Sequence, residues 1–344
     1  MKNVKRTIIP LLMVLFFVLP VFVFAGPGGE RSQQAAGPTY PTRPVELLIP
    51  MGAGGGLDLA SRAISAVIPK YLGQPLTVTL RPGASGVIGT TEIANAAPDG
   101  YRLLFGGTGP NTAVPLAQQV PYTRESFVPI AMVNYSPTVL VVPGNSPYHT
   151  VQEVVDAINA NPGRLNYSTT GPFSNSHIPM AMFLNAYGLL GKVTPIHYDG
   201  GGPQLTAVLG GQVDVAAIFP SNAMDHVKTG ALRVLALTDT KRIPADDADG
   251  VFKDVPTFTE LGKPEVVFRM WWSILAPAGI PKEVEMHLRN AFAQLLRDPE
   301  FAELFARMGE RTDKYMDGPD FKRMWDEEQA LIGPIVRLIQ QEER

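Results

Sequence analysis

The chain has 344 residues, of which 45% are hydrophobic and 18% are charged, and none is cysteine. Disulfides, thiolate metal sites and thiol nucleophiles are therefore excluded. The 29 basic and 32 acidic residues leave a formal net charge of −3, so the chain lacks the basic surplus that binds nucleic acids or anionic lipid surfaces.

The first 25 residues predict an export signal. Three of the first six residues are basic, an apolar run fills positions 8–24, and the small residue Ala25 follows. This order is typical of a signal peptide, although the run is also long enough for an uncleaved membrane anchor. In both cases we expect the rest of the chain to be exported, to the periplasm or to the outer face of the cytoplasmic membrane. Residues 26–43 are rich in Gly, Pro, Ser and Gln and predict a flexible linker.

Alternating strand and helix patterns begin after the linker and predict α/β architecture. A strand over residues 45–49 leads through a glycine loop into an amphipathic helix over 58–72. A second strand over 76–80 leads through another glycine loop, 81–86, into a helix, and a third strand covers 101–105. The loops that follow parallel strands gather at the carboxyl edge of a sheet, where ligands bind.

The loop over residues 52–56 contains four glycines and predicts an anion site. Glycine lets the backbone adopt positive φ and lets a ligand approach closely, and the next helix offers unpaired N–H groups under a positive dipole. A dinucleotide fingerprint would need glycine at position 57, which is leucine, and no lysine of a Walker loop lies nearby. We therefore predict a smaller anion, such as a carboxylate. The candidate ligand-binding residues of this loop are Ala53, Gly54, Gly55 and Gly56.

Two apolar segments predict crossings between two domains. Residues 127–142 form two strands that lead out of the first domain, and residues 266–276 mirror them on the return. The second domain opens with a capping box, Thr150 and Glu153, before a helix that ends near Asn161. Its further strands are predicted over 165–168, 193–197, 213–219 and 232–238. After the return, helices are predicted over 282–297, over 299–308 and from 319 to the end.

The whole pattern predicts two α/β lobes of about 150 residues each. One lobe is discontinuous and comprises residues 44–137 and 271–344, and the other comprises residues 138–270. Two crossover strands join the lobes, and we expect the ligand cleft between them to close about a hinge.

The order of the motifs resembles that of the solute receptors of the tripartite tricarboxylate transporter family, also called the Bug family of periplasmic binding proteins. The resemblance covers about residues 40–340. The matching segments of the first half are YPTRPV (40–45), PMGAGGGLDLASR (50–62), RPGASGVIG (81–89) and AAPDGY (96–101). Those of the second half are YDGGGP (198–203), GGQVD (210–214), LALT (235–238), VPTFTE (255–260) and APAG (276–279).

This resemblance implies a type II periplasmic-binding-protein fold. It also implies a protein that delivers a carboxylate-bearing solute to a membrane permease. The chain departs from the family pattern at Met51, Leu57 and Leu80, where many members have an aromatic residue, a threonine and an asparagine. The lost polar groups bear on the ligand class and leave the fold prediction intact.

Short polar residues at the ends of other strands extend the candidate site. Asp58 is either an ordinary acid of the first helical turn or a group that orients the glycine loop or meets the ligand. The residues before the helix near His177 include more hydroxyl and amide groups than one N-cap needs, which predicts a second cradle facing the first. For His177 and Tyr198, a structural histidine and core packing are the alternatives. The candidates outside the glycine loop are Asp58, Ala84, Ser85, Thr108, Thr170, Ser174, Asn175, His177 and Tyr198.

The sequence does not support catalysis. It contains no nucleophile elbow, its five histidines show no paired spacing for a metal, and no carboxylate pair stands in a glycine loop. Arg62 and Arg81 are expected to pair with other side chains, and Trp271 and Trp272 are expected to pack in the core.

We therefore predict a monomeric binding protein without a metal, a cofactor or a nucleic-acid partner. It would capture a small carboxylate by closing its lobes and deliver it to the membrane subunits of a permease. A receptor that senses its ligand for a two-component signalling kinase would share the same cleft and is the alternative function.

Overall fold

The computed structural model describes residues 40–245, 248–310 and 316–342. The predicted signal peptide, residues 1–25, and residues 26–39 of the predicted linker lie outside this part of the chain. Among the described residues, no helix combines the length and the apolar composition needed to cross a membrane.

Strands and helices alternate along the described chain, as the sequence predicts, and the helices over 114–117 and 220–228 and the strand over 316–317 were not predicted. The strands are β1 (Val45–Ile49), β2 (Leu76–Leu80), β3 (Arg102–Gly107), β4 (Phe127–Pro137), β5 (Val139–Pro143), β6 (Asn166–Thr169), β7 (Thr194–His197), β8 (Val215–Ile218), β9 (Leu232–Leu237), β10 (Arg269–Pro277) and β11 (Met316–Asp317). The helices are α1 (Gly56–Val67), α2 (Pro69–Leu72), α3 (Val87–Ala94), α4 (Val114–Ala117), α5 (Val151–Ala160), α6 (His177–Ala186), α7 (Gly201–Leu209), α8 (Pro220–Lys228), α9 (Lys282–Leu295), α10 (Pro299–Arg307) and α11 (Gly318–Glu342). A π-helical turn covers Gly109–Ala113, and a short 3-10 turn covers Ala84–Gly86.

The described strands form two mixed sheets that share one plan. The order is β11-β4-β10-β3-β1-β2 in the first sheet and β7-β6-β8-β5-β9 in the second. In each sheet three parallel strands lie beside one antiparallel strand, which is β10 in the first and β5 in the second. The strand that enters the second lobe and the strand that returns from it therefore occupy equivalent positions. The predicted architecture of two α/β lobes is confirmed.

Strand β1 shows why the centre of the first sheet forms where it does. Leu47 and Leu48 are both fully buried, as expected for a parallel strand covered on both faces. Adjacent strand residues point to opposite faces, so Leu47 packs with Trp272 and Leu48 packs in the cluster that contains Trp271. Both tryptophans are thus core residues, as the sequence predicts.

Two element boundaries differ from the prediction. The helix predicted over 58–72 begins at Gly56 and is divided into α1 and α2, because Pro69 has no N–H to continue the helical ladder and fits the first position of a new helix. Within residues 127–142 the sequence predicts an interruption over residues 134–137, but β4 continues through Pro137 and the two strands divide at Thr138.

The two crossings between the sheets are hydrogen-bonded to each other. Thr138 lies between β4 and β5, and its N–H donates to Thr238 Oγ1 over 2.9 Å. The Thr238 hydroxyl donates to the Phe268 carbonyl over 2.7 Å, and the Phe268 N–H donates to the Thr238 carbonyl over 3.0 Å. This arrangement fits a hinge, and the exact lobe boundaries stay a prediction.

Helix α11 packs against residues from both halves of the molecule. The Trp325 ring lies 5.0 Å from the Trp271 ring, between centroids, in the core of the first sheet. Farther along the helix, Ile332 and Ile339 belong to the cluster that contains Phe183 of α6. The C-terminal helix, predicted to belong to the first lobe, therefore also contacts a helix of the second.

Candidate functional site

Four helices begin at one small cavity. The N-caps of α1, α6, α7 and α8 are Gly55, Ser176, Gly200 and Phe219, and none of these four residues caps its helix with a side-chain hydrogen bond. At α6 the first N–H, that of His177, already donates to Ser174. All four N-caps line the same cavity, whose volume is about 30 Å³. The first N–H groups of a helix lack intrahelical partners and carry partial positive charge. The cavity is therefore suited to an anion by its backbone alone.

The convergence follows from the topology of the sheets. Helix α1 follows β1, and α6, α7 and α8 follow β6, β7 and β8. In parallel sheets the loops after the strands lie at the carboxyl edge. The carboxyl edges of the two sheets face each other, so helix starts from both lobes meet between the sheets.

The glycine loop (residues 52–56) lies directly against a second glycine-rich segment, the facing loop (residues 199–202). A β-carbon built on Gly52 would overlap the Asp199 carbonyl oxygen, and one on Gly55 would lie 3.3 Å from the Gly201 nitrogen. On the other side, a β-carbon on Gly201 would lie 2.8 Å from the Gly55 α-carbon. Backbone therefore packs on backbone across the cleft, and only glycine leaves room for this approach.

Three side chains outside the glycine loop hold its shape. The Gly54 N–H donates to Asp58 Oδ2 over 2.9 Å, and Gly54 has a φ of +76°. The other Asp58 oxygen lies 3.0 Å from the Arg62 guanidinium. From the second lobe, Asn222 Nδ2 donates to the Gly54 carbonyl over 3.0 Å. Asp58 thus orients the loop, which was one of its predicted roles, and the N-cap of α1 is Gly55.

The hydroxyl loop (residues 170–176) is held by its own side chains. The Thr170 N–H donates to Ser176 Oγ over 2.8 Å, and the Ser174 hydroxyl lies 3.2 Å from the same oxygen. The loop bends through two left-handed residues, Gly171 with a φ of +114° and Phe173 with a φ of +57°. Such conformations are costly for a non-glycine residue and persist only where the surroundings fix them.

A buried histidine supplies that constraint. The Phe173 N–H donates to His177 Nδ1 over 3.1 Å, so the proton of a neutral His177 lies on Nε2, which is 3.1 Å from the Tyr167 hydroxyl. Burial and, to a lesser extent, the neighbouring His197 together lower the pKa of His177 to about 3. His177 is therefore a neutral support of the hydroxyl loop, as expected for a structural histidine.

The structure brings some of the predicted residues to the cavity and places others behind it. Those that line the cavity are Gly55, Gly56, Thr170 and Asn175. Asn175 Oδ1 also accepts a hydrogen bond from the Gly109 N–H of the first lobe. The predicted residues Ala53 and Gly54 contact Gly202 of the facing loop, and Asp58, Ser174 and His177 support the loops.

Ala84 and Ser85 lie at another contact between the lobes. Both have positive φ, 49° and 54°, and a β-carbon on Gly171 would lie 2.5 Å from Ser85 Oγ. The second glycine loop thus meets the hydroxyl loop, as the glycine loop meets the facing loop. Neither residue is among those that line the cavity.

Thr108 and Tyr198 are not among the residues that line the cavity, and both have partners within the protein. The Thr108 hydroxyl donates to Glu328 Oε1 over 2.8 Å and accepts from the Trp271 N–H over 3.2 Å. Tyr198 is half-buried and packs against the cluster that contains Ile218, which agrees with the alternative of core packing. As expected, Arg62 pairs with Asp58, and Arg81 pairs with Glu92 over 3.4 Å.

Sequence reasoning missed most of the cavity wall. Gly52 belongs to the predicted glycine loop and Ser176 to the predicted second cradle, and both line the cavity. The lining residues that were missed are Met51, Leu57, Thr138, Gly200, Gly201, Gln204, Ala217, Ile218, Phe219, Asn222 and Met270. The facing loop repeats the pattern of strand, glycines and helix that identified the glycine loop, so the same rule applied to residues 198–203 would have found it. No local pattern distinguishes Asn222 or Met270, because only the packing of the lobes brings them to the cavity.

A larger cavity, of about 630 Å³, lies beside the hinge. Both of its arginines have partners within the protein: Arg269 Nε donates to Asp239 over 3.0 Å, and Arg242 pairs with Glu260 over 3.0 Å. Burial raises the pKa of Glu310 to about 7, and Asn134 Nδ2 donates to this carboxyl over 2.6 Å. The smaller cavity is the better candidate, because four helix starts converge on it.

Comparison with known proteins agrees with this geometry. The family model described as the tripartite tricarboxylate transporter family receptor matches residues 60–341. A UPF0065 protein of Bordetella pertussis is 30% identical over 302 residues, which are 88% of this chain and 91% of that protein. The structure of the periplasmic binding protein BugD is similar with a TM-score of 0.79 at 28% identity, covering 88% of this chain and 99% of BugD.

A structure with a bound ligand is also similar. MatC from Rhodopseudomonas palustris, solved with bound malate, has a TM-score of 0.79 at 25% identity. The match covers 86% of this chain and 100% of the MatC chain. The predicted resemblance and the predicted periplasmic-binding-protein fold are confirmed. The family match over most of the chain shows that this protein belongs to the tripartite tricarboxylate transporter receptor family.

Proposed function

We propose that this protein is an exported solute receptor that captures a small carboxylate between its lobes. It would then deliver the carboxylate to the membrane permease of a tripartite tricarboxylate-type transporter. The observation that carries the proposal is the convergence of four helix N-termini, from both lobes, on one cavity. The malate bound to the related MatC supports a carboxylate as the ligand class.

Backbone groups are sufficient to hold one carboxylate. Hydrogen bonds to a charged group contribute about 1.5–3 kcal/mol each. Three or four of them approach the roughly 8 kcal/mol of micromolar binding, before the costs of ordering are subtracted. Because no lysine, arginine or histidine is among the described residues that line the cavity, the helix dipoles must supply most of the compensating charge.

Closure of the lobes is coupled to the ligand by contacts that only a closed cleft can make. Asn222 reaches the glycine loop from the second lobe, and Asn175 accepts the Gly109 N–H of the first lobe. A ligand that contacts both lobes favours the closed state by its difference in affinity for the two states. The permease would recognise the closed surface. The matched family and structures are binding proteins, which agrees with a role in capture rather than in catalysis.

A thermal-shift screen of the purified protein tests the proposal. A ligand that binds only the folded state stabilises it by about 2.7 kcal/mol at a concentration 100 times Kd. We expect at least one member of a panel of mono-, di- and tricarboxylates, aromatic acids and amino acids to raise Tm, with binding confirmed by calorimetry. If no carboxylate shifts Tm while a sugar, a nucleotide or a metal ion does, the proposal is wrong.

A further inference from the structure

We infer that ligand capture by this protein takes up a proton, which Glu310 holds at the place where the two lobes meet. The inference depends on the proposed function and adds a proton to it. It rests on a carboxyl group that closure of the lobes buries against the second lobe without a charged partner.

Glu310 is fixed to the first lobe. It follows α10, and its N–H donates to the carbonyl of Phe305, which is fully buried in the core of the first sheet, over 3.0 Å. The Glu310 side chain reaches β4, where Asn134 Nδ2 donates to its Oε2 over 2.6 Å. One oxygen of the carboxyl group is therefore held by the first lobe alone, whether the lobes are open or closed.

The other oxygen of Glu310 faces the second lobe. Ser221, in the first turn of α8, places its hydroxyl and its N–H close enough to the carboxyl group to act on its ionisation. Among the described residues, however, neither Glu310 Oε1 nor Ser221 Oγ has a hydrogen-bond partner of normal geometry, and both atoms are buried. Burying an ionised oxygen without a donor is strongly unfavourable, whereas a protonated carboxyl group can itself donate to the serine hydroxyl. Contact between the lobes therefore favours the protonated acid.

The groups around Glu310 do not compensate a negative charge there. The charged and titratable residues that share its cavity beside the hinge are Tyr135, Asp239, Lys241, Arg242 and Arg269. Both arginines pair with other acids, and Lys241 is exposed. The charged residues of the adjoining helices α8 and α10 are exposed as well, apart from the partly buried His226. In the described part of the chain, no lysine, arginine or histidine forms an ion pair with Glu310.

The turn of α8 that covers Glu310 also lines the ligand cavity. Phe219 and Asn222 flank Ser221 in the chain, both belong to the cavity wall, and Asn222 donates to the Gly54 carbonyl. Closure on a ligand would therefore bring Ser221 onto Glu310 from the other side of the same helix start. With the lobes open, the Glu310 carboxyl would be hydrated through the cavity beside the hinge, whose wall includes this residue. Closure of the lobes and protonation of Glu310 thus favour each other.

The direction of the pH dependence follows from the two states. Burial raises the pKa of Glu310 from the usual 4.5 to about 7 in the closed structure, and a hydrated carboxyl group keeps the usual value. The contribution of Glu310 to closure is therefore fully present below pH 4.5 and is lost as the pH rises through about 7. Because ligand binding is linked to closure, affinity should fall about tenfold between pH 6 and pH 8.

Calorimetry at pH 6 and at pH 8 tests the inference. The probes are malate, adipate, hexanoate, benzoate and glutamate, whose carboxylates are largely ionised at both pH values, and the probe that binds most tightly at pH 6 is used throughout. We expect binding to be about tenfold weaker at pH 8. Titrations at pH 6 in phosphate and in imidazole, which differ in their heats of ionisation, should show the uptake of close to one proton for each bound probe.

The variant Glu310→Gln resembles the protonated acid at every pH. It should bind the probe at pH 8 as tightly as the unaltered protein does at pH 6, and it should take up no proton. Glu328→Gln is the matched control, because Glu328 is also buried but its partners Thr108, Thr112 and Trp271 all belong to the predicted first lobe, so closure leaves its surroundings unchanged. This control should keep both the pH dependence of affinity and the proton uptake.

The outcomes separate this inference from the proposed function. If the unaltered protein binds the probe equally well at both pH values without taking up a proton, or if Glu310→Gln keeps the pH dependence, the inference is wrong while the proposed function stands. If Glu310→Gln does not fold, the proton uptake of the unaltered protein decides. If none of the five carboxylates binds, both are wrong.

Discussion

The glycine loop and the hydroxyl loop reach the same cavity but keep their shapes by different means. The glycine loop presents almost only backbone, and it is fixed from outside by Asp58 and Asn222. The hydroxyl loop is fixed by its own side chains and by the neutral imidazole of His177. This difference allows ligand-driven closure and loop preorganisation to be tested separately. Changes in the glycine loop should act mainly on the fit between the lobes, and changes around the hydroxyl loop should act on its preorganisation and on the stability of the fold.

The largest effect is expected from Gly52→Ala. Its β-carbon would overlap the Asp199 carbonyl oxygen only when the lobes are closed, and Gly52 does not need positive φ. The unliganded protein should therefore stay folded, whereas the affinity measured by calorimetry should fall more than roughly hundredfold, since the ligand would lose the contacts that only the closed state provides. Gly55→Val should act in the same direction.

The control for this variant is Gly333→Ala. A β-carbon there meets only the Arg337 side chain, at 3.7 Å, within helix α11. Its affinity should equal that of the unaltered protein. A Gly52→Ala variant that binds normally would remove the glycine loop from the site.

The next largest effect is expected from Asp58→Ala. This change leaves the Gly54 N–H without its acceptor, and hydrogen bonds to charged groups contribute about 1.5–3 kcal/mol, so ligand affinity should fall roughly tenfold or more. Asp58→Asn keeps an acceptor for that N–H and loses only the ion pair with Arg62. Because the Arg62 side chain is exposed, this ion pair should contribute less to affinity than the hydrogen bond does. Equal losses for the two variants in calorimetry would show that the loop depends on the ion pair instead.

A smaller effect on binding is expected from His177→Asn. Asparagine can replace the Nδ1 acceptor for the Phe173 N–H but does not reach the Tyr167 hydroxyl. We expect affinity to fall a few-fold and Tm to fall as well, because an unpaired buried hydroxyl costs about 1–3 kcal/mol. His177→Ala loses both hydrogen bonds, so its ligand affinity and its Tm should both be lower than those of His177→Asn.

The pH dependence of stability identifies His177 independently. Its pKa of about 3 in the folded protein lies below the usual 6.5. The unfolded chain therefore takes up this proton first, and the stability from His177 is present above pH 6.5 and is lost as the pH falls towards 3. In His177→Asn, urea unfolding at several pH values should show a smaller loss over this range. An unchanged pH dependence would mean that His177 is not buried as a neutral group.

The smallest effect on binding is expected from Glu328→Gln. Glu328 bonds Thr108, the neighbour of Gly109, whose N–H donates to Asn175 of the hydroxyl loop. Glu328 accepts from Thr108, Thr112 and Trp271, yet burial raises its pKa to about 7. The folded protein then holds a proton that the unfolded chain releases near pH 4.5, so stability falls as the pH rises from about 4.5 to about 7.

Glutamine resembles the protonated acid and removes that slope. We expect unchanged ligand affinity and a smaller decrease in unfolding free energy between pH 5 and pH 8 for Glu328→Gln. The exposed neighbour Glu327→Gln is the control and should retain the decrease. If both variants have the same pH profile as the unaltered protein, Glu328 is ionised in the folded state.

Much of the fold could be predicted because its signals are local. The bounds of β1 and β2 agree with the prediction residue for residue, and the capping box of Thr150 and Glu153 is present at the start of α5. Apolar runs, glycine loops and capping residues act on near neighbours along the chain. A single sequence therefore contains the information that places these elements.

The candidate site was predicted less completely, and the reason is physical. Gly55, Gly56, Thr170 and Asn175 were found because helix starts have a local signature. Thr108 has the same signature, but its hydroxyl is taken by Glu328, which lies 220 residues away along the chain. Whether a polar group at a strand end faces a ligand or another side chain depends on which distant segment packs against it.

The sequence by itself determined that two α/β lobes alternate strands and glycine-rich helix starts, because those patterns are stabilised by neighbouring residues. The tertiary structure decided that the glycine loop meets the facing loop, that Asn222 and Met270 join the wall, and that α11 contacts both lobes. These contacts join segments far apart in the chain. Their energy depends on the closeness of two surfaces, which no local pattern of residues specifies.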